Sequence, residues 1–467
     1  MYNYFKLPMY VEKVMAELIQ IVVERIDESG SVVKRNIVGY KEIKKPEAII
    51  DIGLRHSEQI DVITEIQDTV IEAQISHLNN IEEHCPKCGT RLAKKGYTKS
   101  DFNSIFTDHK IGCSRKVCHK CKWTSIPSIR SIFGTQIHPD LAKIQVELSG
   151  AYPYRSAQKI LNTMVNGSRS INNHNGLKQL TENVSQYIEI HPDPVTDDIT
   201  PSDNLIVQVD GGHVKTTEDQ RSIEALTSVI YNPKNINYYG GNEKKSGGTS
   251  EIRGEITSKS CAASALSDNQ KSIKSMTIRA AKLQGMTKST KITALCYGAS
   301  NCWSVVEALE NKCSSINRIL DWFHIGMKFK NTGLGDKTLN ERLDGAKWYL
   351  WRGDATKGIE RLSALCDELK NDTKKLNKVE KLKTYIENNK EYIVHYLDRK
   401  KNDLIFTSNM AEATVESLIN QRCKSKQHMR WSRGGLHAIL MVRSAVNSDQ
   451  WADNWEKQIT GALKNVA

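Results

Sequence analysis

The feature that most limits how this chain can fold is a pair of Cys-x-x-Cys motifs, which run from Cys85 to Cys88 and from Cys118 to Cys121. Two such motifs can place four thiolates at the corners of a tetrahedron, which is the geometry that Zn²⁺ takes in structural sites. The alternatives are free structural thiols or a redox pair. We predict a zinc ribbon over residues 84–135, in which the metal supplies much of the folding free energy.

The remaining cysteines do not form a second pattern. Cys113 could replace one ligand of the predicted ribbon, and His84 and His119 are weaker candidates. The total of 11 cysteines is odd, and a scattered arrangement is not a disulfide framework. We expect small buried apolar residues or partly exposed thiols at the other six positions, which are Cys261, Cys296, Cys302, Cys313, Cys366 and Cys423.

Basic charge is concentrated after the first 83 residues. Lys and Arg number 9 against 15 Asp and Glu in residues 1–83, 16 against 9 in residues 84–200, and 41 against 30 in the remainder. Such a balance favours a polyanionic partner because cations release the counterions of phosphates, although an ordinary solvated surface can have it too. No apolar run approaches the roughly 20 residues of a membrane span. We therefore expect a soluble cytoplasmic protein of two or three domains, with no membrane partner.

Upstream of the ribbon, the apolar residues follow a helical spacing. They recur at positions 11, 14, 15, 18 and 22, which predicts an amphipathic helix over residues 9–26. A second helix is predicted near Asp61–Asn80. Residues 1–83 contain no recognisable chemistry, and we assign them to packing or to contacts within an oligomer.

Downstream of the ribbon, residues 136–190 have the pattern of a helical DNA-binding region. A short polar turn around Gly167 separates two of its predicted helices, as in a helix-turn-helix, although two ordinary packed helices would look the same. In that motif Arg155 and Lys159 would contact DNA. Three prolines in residues 191–202 predict a linker and a domain boundary. The predicted helices are Pro139–Ser149, Tyr154–Leu161 and Ile171–Val184.

A strand that contains a carboxylate follows the linker. Residues 205–209 are apolar, and Asp210 and two glycines come directly after them. A buried strand has no packing use for an aspartate, so such a residue usually binds a metal or a partner. The pattern that follows predicts a helix over Ser267–Met286 and further strands, which are Ser222–Tyr231, Thr290–Cys296 and Ile316–His324.

Helical, Lys- and Glu-rich sequence fills residues 326–403, and a second carboxylate pair comes after it. Glu412 and Glu416 are four residues apart, so both lie on one face of a predicted helix. We assign residues 203–445 to one core and residues 446–467 to a tail. The basic candidates for contact with DNA near the end of this core are Arg422, Lys424, Arg430 and Arg433.

Taken together, these blocks resemble the DDE transposases of bacterial insertion sequences, in the Mutator-like branch and its ISKra4-type family. The resemblance covers roughly residues 80–445. It rests on VDGGH at 209–213, ALCYGASNCW at 294–303, ILDWFHI at 319–325, and AEATVESLINQRCK at 411–424, followed by MRWS. It implies an α/β RNase H-like core with an all-helical insertion. It also implies a homo-oligomer that acts on double-stranded DNA at element ends and targets, and is associated with the nucleoid.

In that family two aspartates and one glutamate hold two Mg²⁺ or Mn²⁺ ions for strand cleavage and transfer. Asp210 matches the first position and Glu412 the last, with Glu416 as the alternative. Tyr297 stands at the second position, and a phenol is neutral at pH 7 and replaces a bridging carboxylate poorly. Asp321 and His324 match a separate signature and are expected to support the site. Direct contact with metal or DNA, or a histidine satisfied in the core, are the alternatives.

Three explanations of Tyr297 remain open: a one-base change in a decayed copy, a change accepted because only DNA binding was retained, or an error in the sequence. The resemblance predicts a protein that binds the terminal inverted repeats of its element, with an incomplete two-metal site. The alternatives are an inactive DNA-binding repressor and an RNase H-like nuclease unrelated to transposition. Trp303, Trp322 and Trp431 could stack on bases or pack in the core.

Overall fold

The computed structural model describes residues 17–239, 253–408, 414, 416–424, 429–457, 461 and 463. The chain is a mixed α/β protein that divides into two compact units. The first unit comprises Met1–Gln145, Arg155–Gly176 and Leu463–Ala467, and the second comprises Val146–Tyr154 and Leu177–Ala462. The units do not divide at the predicted linker, residues 191–202. That segment lies inside the second unit, where Ser202 N donates to Gly285 O over 2.8 Å.

The first unit contains two antiparallel hairpins and a long helix. Strand β1 (Glu17–Ile26) pairs with β2 (Val32–Ile43), and β3 (Ala93–Asn103) pairs with β4 (Asp108–Val117). Helix α1 (His56–Asn80) contacts both β2 and β4, which confirms the predicted helix near Asp61–Asn80. The short helix α2 (Ile129–Phe133) ends the predicted ribbon region.

Strand β1 shows that the predicted helix over residues 9–26 is wrong for its described part. Residues 9–16 lie outside the described residues, and residues 17–26 form a strand. Leu18 and Val22 do have helical spacing. However, Ile19, Ile21 and Val23 are β-branched, and such side chains fit a pleated strand better than a helix. Pairing along the length of β2 therefore outweighs the helical spacing.

The region 136–190 is helical, as predicted, but its connections differ. The helices are α3 (Pro139–Ala151), α4 (Tyr154–Thr163) and α5 (His174–Ile190). Residues 164–173 connect α4 to α5, which is longer than the about three to four residues of a helix-turn-helix connection. The short-turn pair predicted from Gly167 is therefore not present.

A five-stranded mixed sheet is the centre of the second unit. Its order is β11-β10-β5-β6-β9, in which β5, β6 and β9 are antiparallel neighbours and β10 is parallel to both β5 and β11. A separate hairpin is formed by β7 (Ile236–Tyr239) and β8 (Arg253–Ile256). The strands of the large sheet are β5 (Asn204–Lys215), β6 (Ser222–Tyr231), β9 (Ser260–Ser264), β10 (Lys291–Cys296) and β11 (Ser315–Leu320).

Strand β5 is apolar on both faces because the sheet is a middle layer. Leu205, Val207 and Val209 pack in one cluster with α6 (Lys271–Leu283) and α7 (Ser300–Glu307). Ile206 packs in a second cluster, together with residues of the helices that follow the sheet, such as Ile325, Leu350 and Leu440. The predicted strands and the predicted helix over 267–286 are confirmed with ends that shift by a few residues, except that the predicted strand Ile316–His324 ends at Leu320 and its residues 322–324 begin a helix.

Five helices occupy the predicted helical insertion, and aspartates begin four of them. Asp321, Asp336, Asp354 and Asp372 each accept a backbone N–H of the first turn, which satisfies a donor that the helix leaves unpaired. No helix in the described ranges has both the length and the apolar content needed to cross a bilayer. The helices are α8 (Trp322–Thr332), α9 (Lys337–Trp351), α10 (Ala355–Glu368), α11 (Thr373–Asn388) and α12 (Tyr396–Lys401).

After the insertion, a π-helical segment (Glu416–Asn420) and a single turn (Gln421–Cys423) lead to two final helices. Helix α13 (Arg433–Val446) is buried along most of its length and contacts β9. Helix α14 (Trp451–Lys457) follows it and buries Trp451 and Trp455. The last helices therefore belong to the core of the second unit.

Candidate functional site

Four cysteines of the first unit form a compact cluster. The Sγ atoms of Cys85, Cys88, Cys118 and Cys121 all lie within 4.8 Å of one another. Cys85 Sγ is 3.4 Å from Cys121 Sγ, and Cys88 Sγ is 3.4 Å from Cys118 Sγ. In a tetrahedral site with Zn–S bonds of about 2.3 Å, the sulfurs are separated by roughly 3.8 Å. The cluster could therefore hold a metal such as zinc.

The two Cys-x-x-Cys turns have the same backbone design. Cys85 N donates to Thr90 O, and the corresponding Cys118 N donates to Trp123 O, each over 2.8 Å. The residue after each second cysteine is left-handed, with φ of 70° at Gly89 and 59° at Lys122. A positive φ costs glycine little but is uncommon for lysine. Both turns thus direct their sulfurs to the same point.

The local environment favours the thiolate form of one ligand. Thr90 Oγ1 lies 3.4 Å from Cys88 Sγ, and hydrogen bonds with Thr90 and then with Cys118 lower the pKa of the Cys88 thiol to about 6. At Cys121 a backbone hydrogen bond with Trp123 lowers the pKa, but the three neighbouring thiols outweigh it and raise that pKa to about 12. Metal ions bind thiolates, so a lowered pKa suits a metal site. The weaker candidates are outside the cluster: Cys113 is buried beside Ile71 and Ile111, and His84 and His119 are exposed.

In the second unit, the register of three parallel strands aligns one residue of β5 with the residues that follow β10 and β11. Cys296 of β10 pairs with Val209 of β5 on one side and with Leu320 of β11 on the other. The next residue of each strand therefore belongs to one row across the sheet, which lies at the ends of β10 and β11 and in the middle of β5. This row consists of Asp210, Tyr297 and Asp321.

The row lines a small cleft together with His324 and Ser408. Sequence reasoning placed Asp210, Tyr297, Asp321 and His324 near one site, and the structure brings these four side chains together. It did not identify Ser408 as a member of the cleft. Ser408 is 87 residues from its partner Asp321 along the chain, so no local pattern indicated it.

Asp210 is the carboxylate best placed to attract a cation. One of its oxygens, Oδ1, accepts a hydrogen bond from Gly211 N over 2.7 Å. Burial raises the pKa of this carboxyl, and the charges of His324 and Lys424 oppose that shift. Lys424 Nζ reaches the neighbouring Gly212. The cleft thus holds a partly desolvated acid with basic groups around it.

Asp321 has no free acceptor position. Its Oδ1 accepts Phe323 N at 3.1 Å and Ser408 N at 3.0 Å. Its Oδ2 lies 2.7 Å from His324 Nδ1 and accepts the Ser408 hydroxyl over 2.5 Å. A carboxylate offers about four lone-pair sites, so these four partners saturate it. Asp321 therefore caps α8 and orients His324.

Tyr297 fills the middle of the row with a neutral group. Its ring lies 5.7 Å from the His324 ring, and its hydroxyl is close to Gly211. Burial, with a contribution from Cys302, raises the pKa of this phenol above its usual value near 10. The Tyr297 carbonyl accepts a hydrogen bond from the Tyr385 hydroxyl over 2.8 Å. The side chain thus remains protonated and packed where a metal-binding carboxylate was expected.

The third expected acid falls on a part of the chain that is only partly described. Glu412 lies outside the described residues. Glu416 begins the π-helical segment, is exposed, and accepts a hydrogen bond from Asn420 Nδ2 over 2.7 Å. Within the described ranges, the four cysteines are the only group of three or more acidic, Cys or His side chains close enough to hold a metal.

A basic cleft lies at the hairpin that joins β5 to β6. It has a volume of about 700 Å³, and Lys215, Arg221 and Arg430 contribute exposed cations to it. Its lining also contains the acidic residue Glu218, which accepts a hydrogen bond from Arg433 N over 2.7 Å. In the described part of the chain none of the three cations has an ion-pair partner. Trp431 N donates to Lys215 O over 3.0 Å, which holds the segment of Arg430 against β5. Arg430 was predicted to contact DNA, whereas the two cations of the hairpin were not.

Two further predicted basic contacts remain accessible, and one is corrected. Arg155 and Lys159 are exposed on α4. Arg422 is 0% exposed, so the prediction that it contacts DNA is wrong. Its guanidinium lies between the rings of Tyr154 and Trp431, at 5.4 and 4.9 Å from their centroids, and this stacking explains its burial.

The other aromatic and basic candidates are occupied by contacts within the protein. Arg433 Nη1 donates to Ala265 O over 2.8 Å. Trp303 is buried against Tyr392, with ring centroids 4.3 Å apart. Trp431 is buried as well, and Trp322 packs on two aromatic rings of the insertion. These tryptophans therefore pack in the core, which was the alternative to stacking on bases.

Comparison with known proteins does not assign the chain to a family. No protein-family model matches the chain, and no curated protein is significantly similar to it. The geometry and chemistry of the two sites are therefore the evidence for function, and the family resemblance of the motifs remains an expectation.

Proposed function

We propose that this chain is a double-stranded-DNA-binding protein of the DDE transposase type, with an RNase H-like core that lacks a complete two-metal cleavage site. The observation that carries the proposal is the row of Asp210, Tyr297 and Asp321 across three adjacent strands. In this row one acid is available, one position is a neutral phenol, and one acid is saturated by hydrogen bonds.

The order of elements supports an RNase H-like core. The resemblance implies a strand with an aspartate, antiparallel strands, a helix, two further strands and a helical insertion. The elements from β5 to α12 follow that order, with β10 and β11 added in parallel beside β5. The first acid then lies on the central strand, and the second position lies on the strand next to it.

The side chains of Asp210, Tyr297 and Asp321 support a protein that binds DNA but does not cleave it. Two-metal phosphodiester chemistry requires carboxylates that bridge or flank the ions, which activate the attacking oxygen and stabilise the leaving oxygen. Asp210 could hold one Mg²⁺ or Mn²⁺ ion, but Tyr297 offers only a protonated hydroxyl. Asp321 would first have to release four hydrogen-bonding groups. We therefore expect that this site does not cleave DNA, because it lacks the second carboxylate.

The cleft of Lys215, Arg221 and Arg430 supports binding to a polyanion. Phosphates attract such unpaired, exposed cations and release their own counterions, which makes affinity depend on salt. Because these contacts are made to the backbone of the nucleic acid, they position the protein rather than select a sequence. Specific recognition of inverted repeats would need other contacts, for which α4 with Arg155 and Lys159 is the candidate.

A second candidate function is metal-dependent strand cleavage and transfer. Asp210 favours it, because only one of its two oxygens accepts a hydrogen bond among the described residues. The other oxygen could then bind a divalent ion. In that case an acid other than the residue at position 297 would complete the site.

A cleavage assay distinguishes the two functions. The substrate is a linear duplex that carries the genomic sequence flanking the gene, incubated with Mg²⁺ or Mn²⁺. We expect no cutting by the unmodified chain and cutting by Tyr297→Asp. Tyr297→Asn is the matched control because it removes the same ring without adding a charge. Cutting by the unmodified chain that is lost in Asp210→Ala would overturn the proposal of an incomplete site.

Binding is tested by the salt dependence of affinity for the same duplex. Each phosphate contact contributes about 0.9 to the slope of log K against log salt. We expect the double variant Arg221→Ala and Arg430→Ala to lower the slope by about 2. The double variant Lys374→Ala and Lys390→Ala, which removes two exposed cations of the insertion, is the control. Equal slopes for both variants would show that the cleft does not bind phosphates.

A further inference from the structure

Strand β1 is an edge strand of the first unit. It pairs with β2 on one side, and no other described strand pairs with it. An edge presents unpaired N–H and C=O groups, and proteins usually protect such edges with proline, lysine, bulges or a covering element. The sequence of β1, ELIQIVVERI, contains neither proline nor lysine. Its pairing with β2 has two irregularities, between Ile21 and Val22 and between Arg25 and Ile26, and in both the extra residue lies on β2.

The same hairpin exposes large apolar side chains. Leu18 is 56% exposed, Ile26 61%, Ile37 48% and Tyr40 59%. Single exposed apolar residues are ordinary, but a strip of them along a short sheet marks an interaction surface. Helix α1 covers only one face of the hairpin, through contacts such as Asn36 Nδ2 with Thr69 Oγ1 at 3.1 Å. The strand edge and the opposite face remain open among the described residues.

The sequence of β1 is complementary to itself in one antiparallel register. If two copies meet with Ile21 opposite Ile21, then Glu17 lies opposite Arg25, Ile19 opposite Val23, and Leu18 opposite Glu24. A two-fold axis repeats each pair, so the register has two pairs of opposite charges at its ends, and its one mismatch is Leu18 with Glu24. Neither Glu17 nor Arg25 has an ion-pair partner among the described residues.

Neighbouring registers lack this match. A centre on Val22 places Arg25 opposite Ile19, and a centre on Gln20 places Glu17 opposite Val23. Opposite charges directly across a sheet stabilise it, and like charges destabilise it. The charges of β1 therefore favour the register centred on Ile21 over its two neighbours.

We propose that β1 is a dimer interface, in which the β1 strands of two copies pair antiparallel about Ile21 to form a four-stranded sheet. This self-pairing satisfies the open edge of both chains and turns a two-stranded hairpin, which is marginal alone, into a larger sheet. Each α1 covers the same face of that sheet, because a two-fold axis normal to the sheet preserves its faces. The interface lies in the acidic part of the chain and does not depend on DNA.

The test exchanges the charges of Glu17 and Arg25 and measures the dissociation constant of the dimer by sedimentation equilibrium, with the full chain and without DNA. We expect the unmodified chain to form a dimer of twice 52.7 kDa. Glu17→Arg places arginine opposite arginine, and Arg25→Glu places glutamate opposite glutamate, so each should weaken dimerisation about five- to tenfold. The double variant restores opposite charges and should restore the dissociation constant to within about threefold of the original. Both side chains are exposed, so folding should not change.

Two results would overturn the proposal. A monomer at all concentrations would mean that another part of the same chain, or a different protein, covers the edge. A dimer that is indifferent to both single exchanges, or that the double variant does not restore, would place the interface elsewhere.

Discussion

Replacing Tyr297 with aspartate should make the stability of the second unit depend on Mg²⁺. The change removes a half-buried ring beside His324 and places a carboxylate next to Asp210. If the row is a metal site that lacks one acid, the new carboxylate completes a pair that binds a divalent ion. Without the ion, the same pair of carboxylates destabilises the fold.

The magnitude follows from the strand register. Adjacent strands lie about 4.8 Å apart, and residues 210 and 297 follow a directly paired position. Two carboxylates about 5 Å apart repel by roughly 3 kcal/mol at an effective dielectric constant of 20. Loss of part of the packing of the ring adds about 1–2 kcal/mol, since complete truncation of a buried aromatic residue costs about 3–5 kcal/mol. The sum of the two effects makes Tyr297→Asp about 4–5 kcal/mol less stable than the unmodified chain without Mg²⁺.

Magnesium should then restore part of that loss. A site with a dissociation constant of about 1 mM gains roughly 1.4 kcal/mol at 10 mM ligand. For a unit of this size that gain corresponds to an increase of about 2–4 °C in Tm. The unmodified chain and Tyr297→Asn should show no such increase, because neither adds a carboxylate.

The assay is thermal unfolding followed by tryptophan fluorescence, with Mg²⁺ varied from 0 to 10 mM. No chelator is added, so that a metal held by the cysteines is retained. An increase in Tm for Tyr297→Asn equal to that for Tyr297→Asp would contradict this prediction, because a neutral side chain cannot complete a carboxylate pair. An equal increase for the unmodified chain would refute it too.

Three further predictions concern metal, packing and pH. Cys118→Ser should lower bound zinc from about one ion per chain to none, as measured by elemental analysis; retained zinc would contradict the four-thiolate site. Arg422→Ala should destabilise the chain by about 3 kcal/mol in urea unfolding, yet leave DNA affinity unchanged within twofold; a large loss of affinity would mean that Arg422 contacts DNA. Burial raises the pKa of Asp108, but hydrogen bonds from Arg169 and Asn103 outweigh it and lower the pKa below 3.8. Its stabilisation is complete above that value and is lost as the pH falls, so Asp108→Asn should differ most from the parent at pH 6 and least at pH 2–3.

Much of the sheet could be predicted because its strands are apolar runs ended by distinctive residues. The segment from Leu205 to Asp210 indicated a buried strand with a site at Asp210, and β10 and β11 run parallel to it and end at the same level, although β5 itself continues to Lys215. The alignment of Asp210, Tyr297 and Asp321 follows from that register. The helix boundaries of the insertion were less evident, although the capping aspartates are a local signal that could have placed them.

Other features depend on residues that are distant in sequence. Asp321 is saturated by Ser408, and Arg422 is buried between Tyr154 and Trp431, so neither state could be inferred from neighbours along the chain. The basic cleft required knowledge that the segment of Arg430 returns to the β5–β6 hairpin. Strand β1 was missed because its apolar residues satisfy a helical period as well as a strand period.

The position of α13 determines when the second unit can finish folding during synthesis. Its buried face packs against β9, and Ser448 Oγ accepts a hydrogen bond from Cys261 N over 2.9 Å. At about 5–20 residues per second, a ribosome reaches α13 roughly 10–40 s after it completes β9. During that interval the nascent sheet displays an uncovered apolar face. We expect a premature stop codon before Arg433 to yield an aggregating or degraded chain instead of a shorter DNA-binding protein.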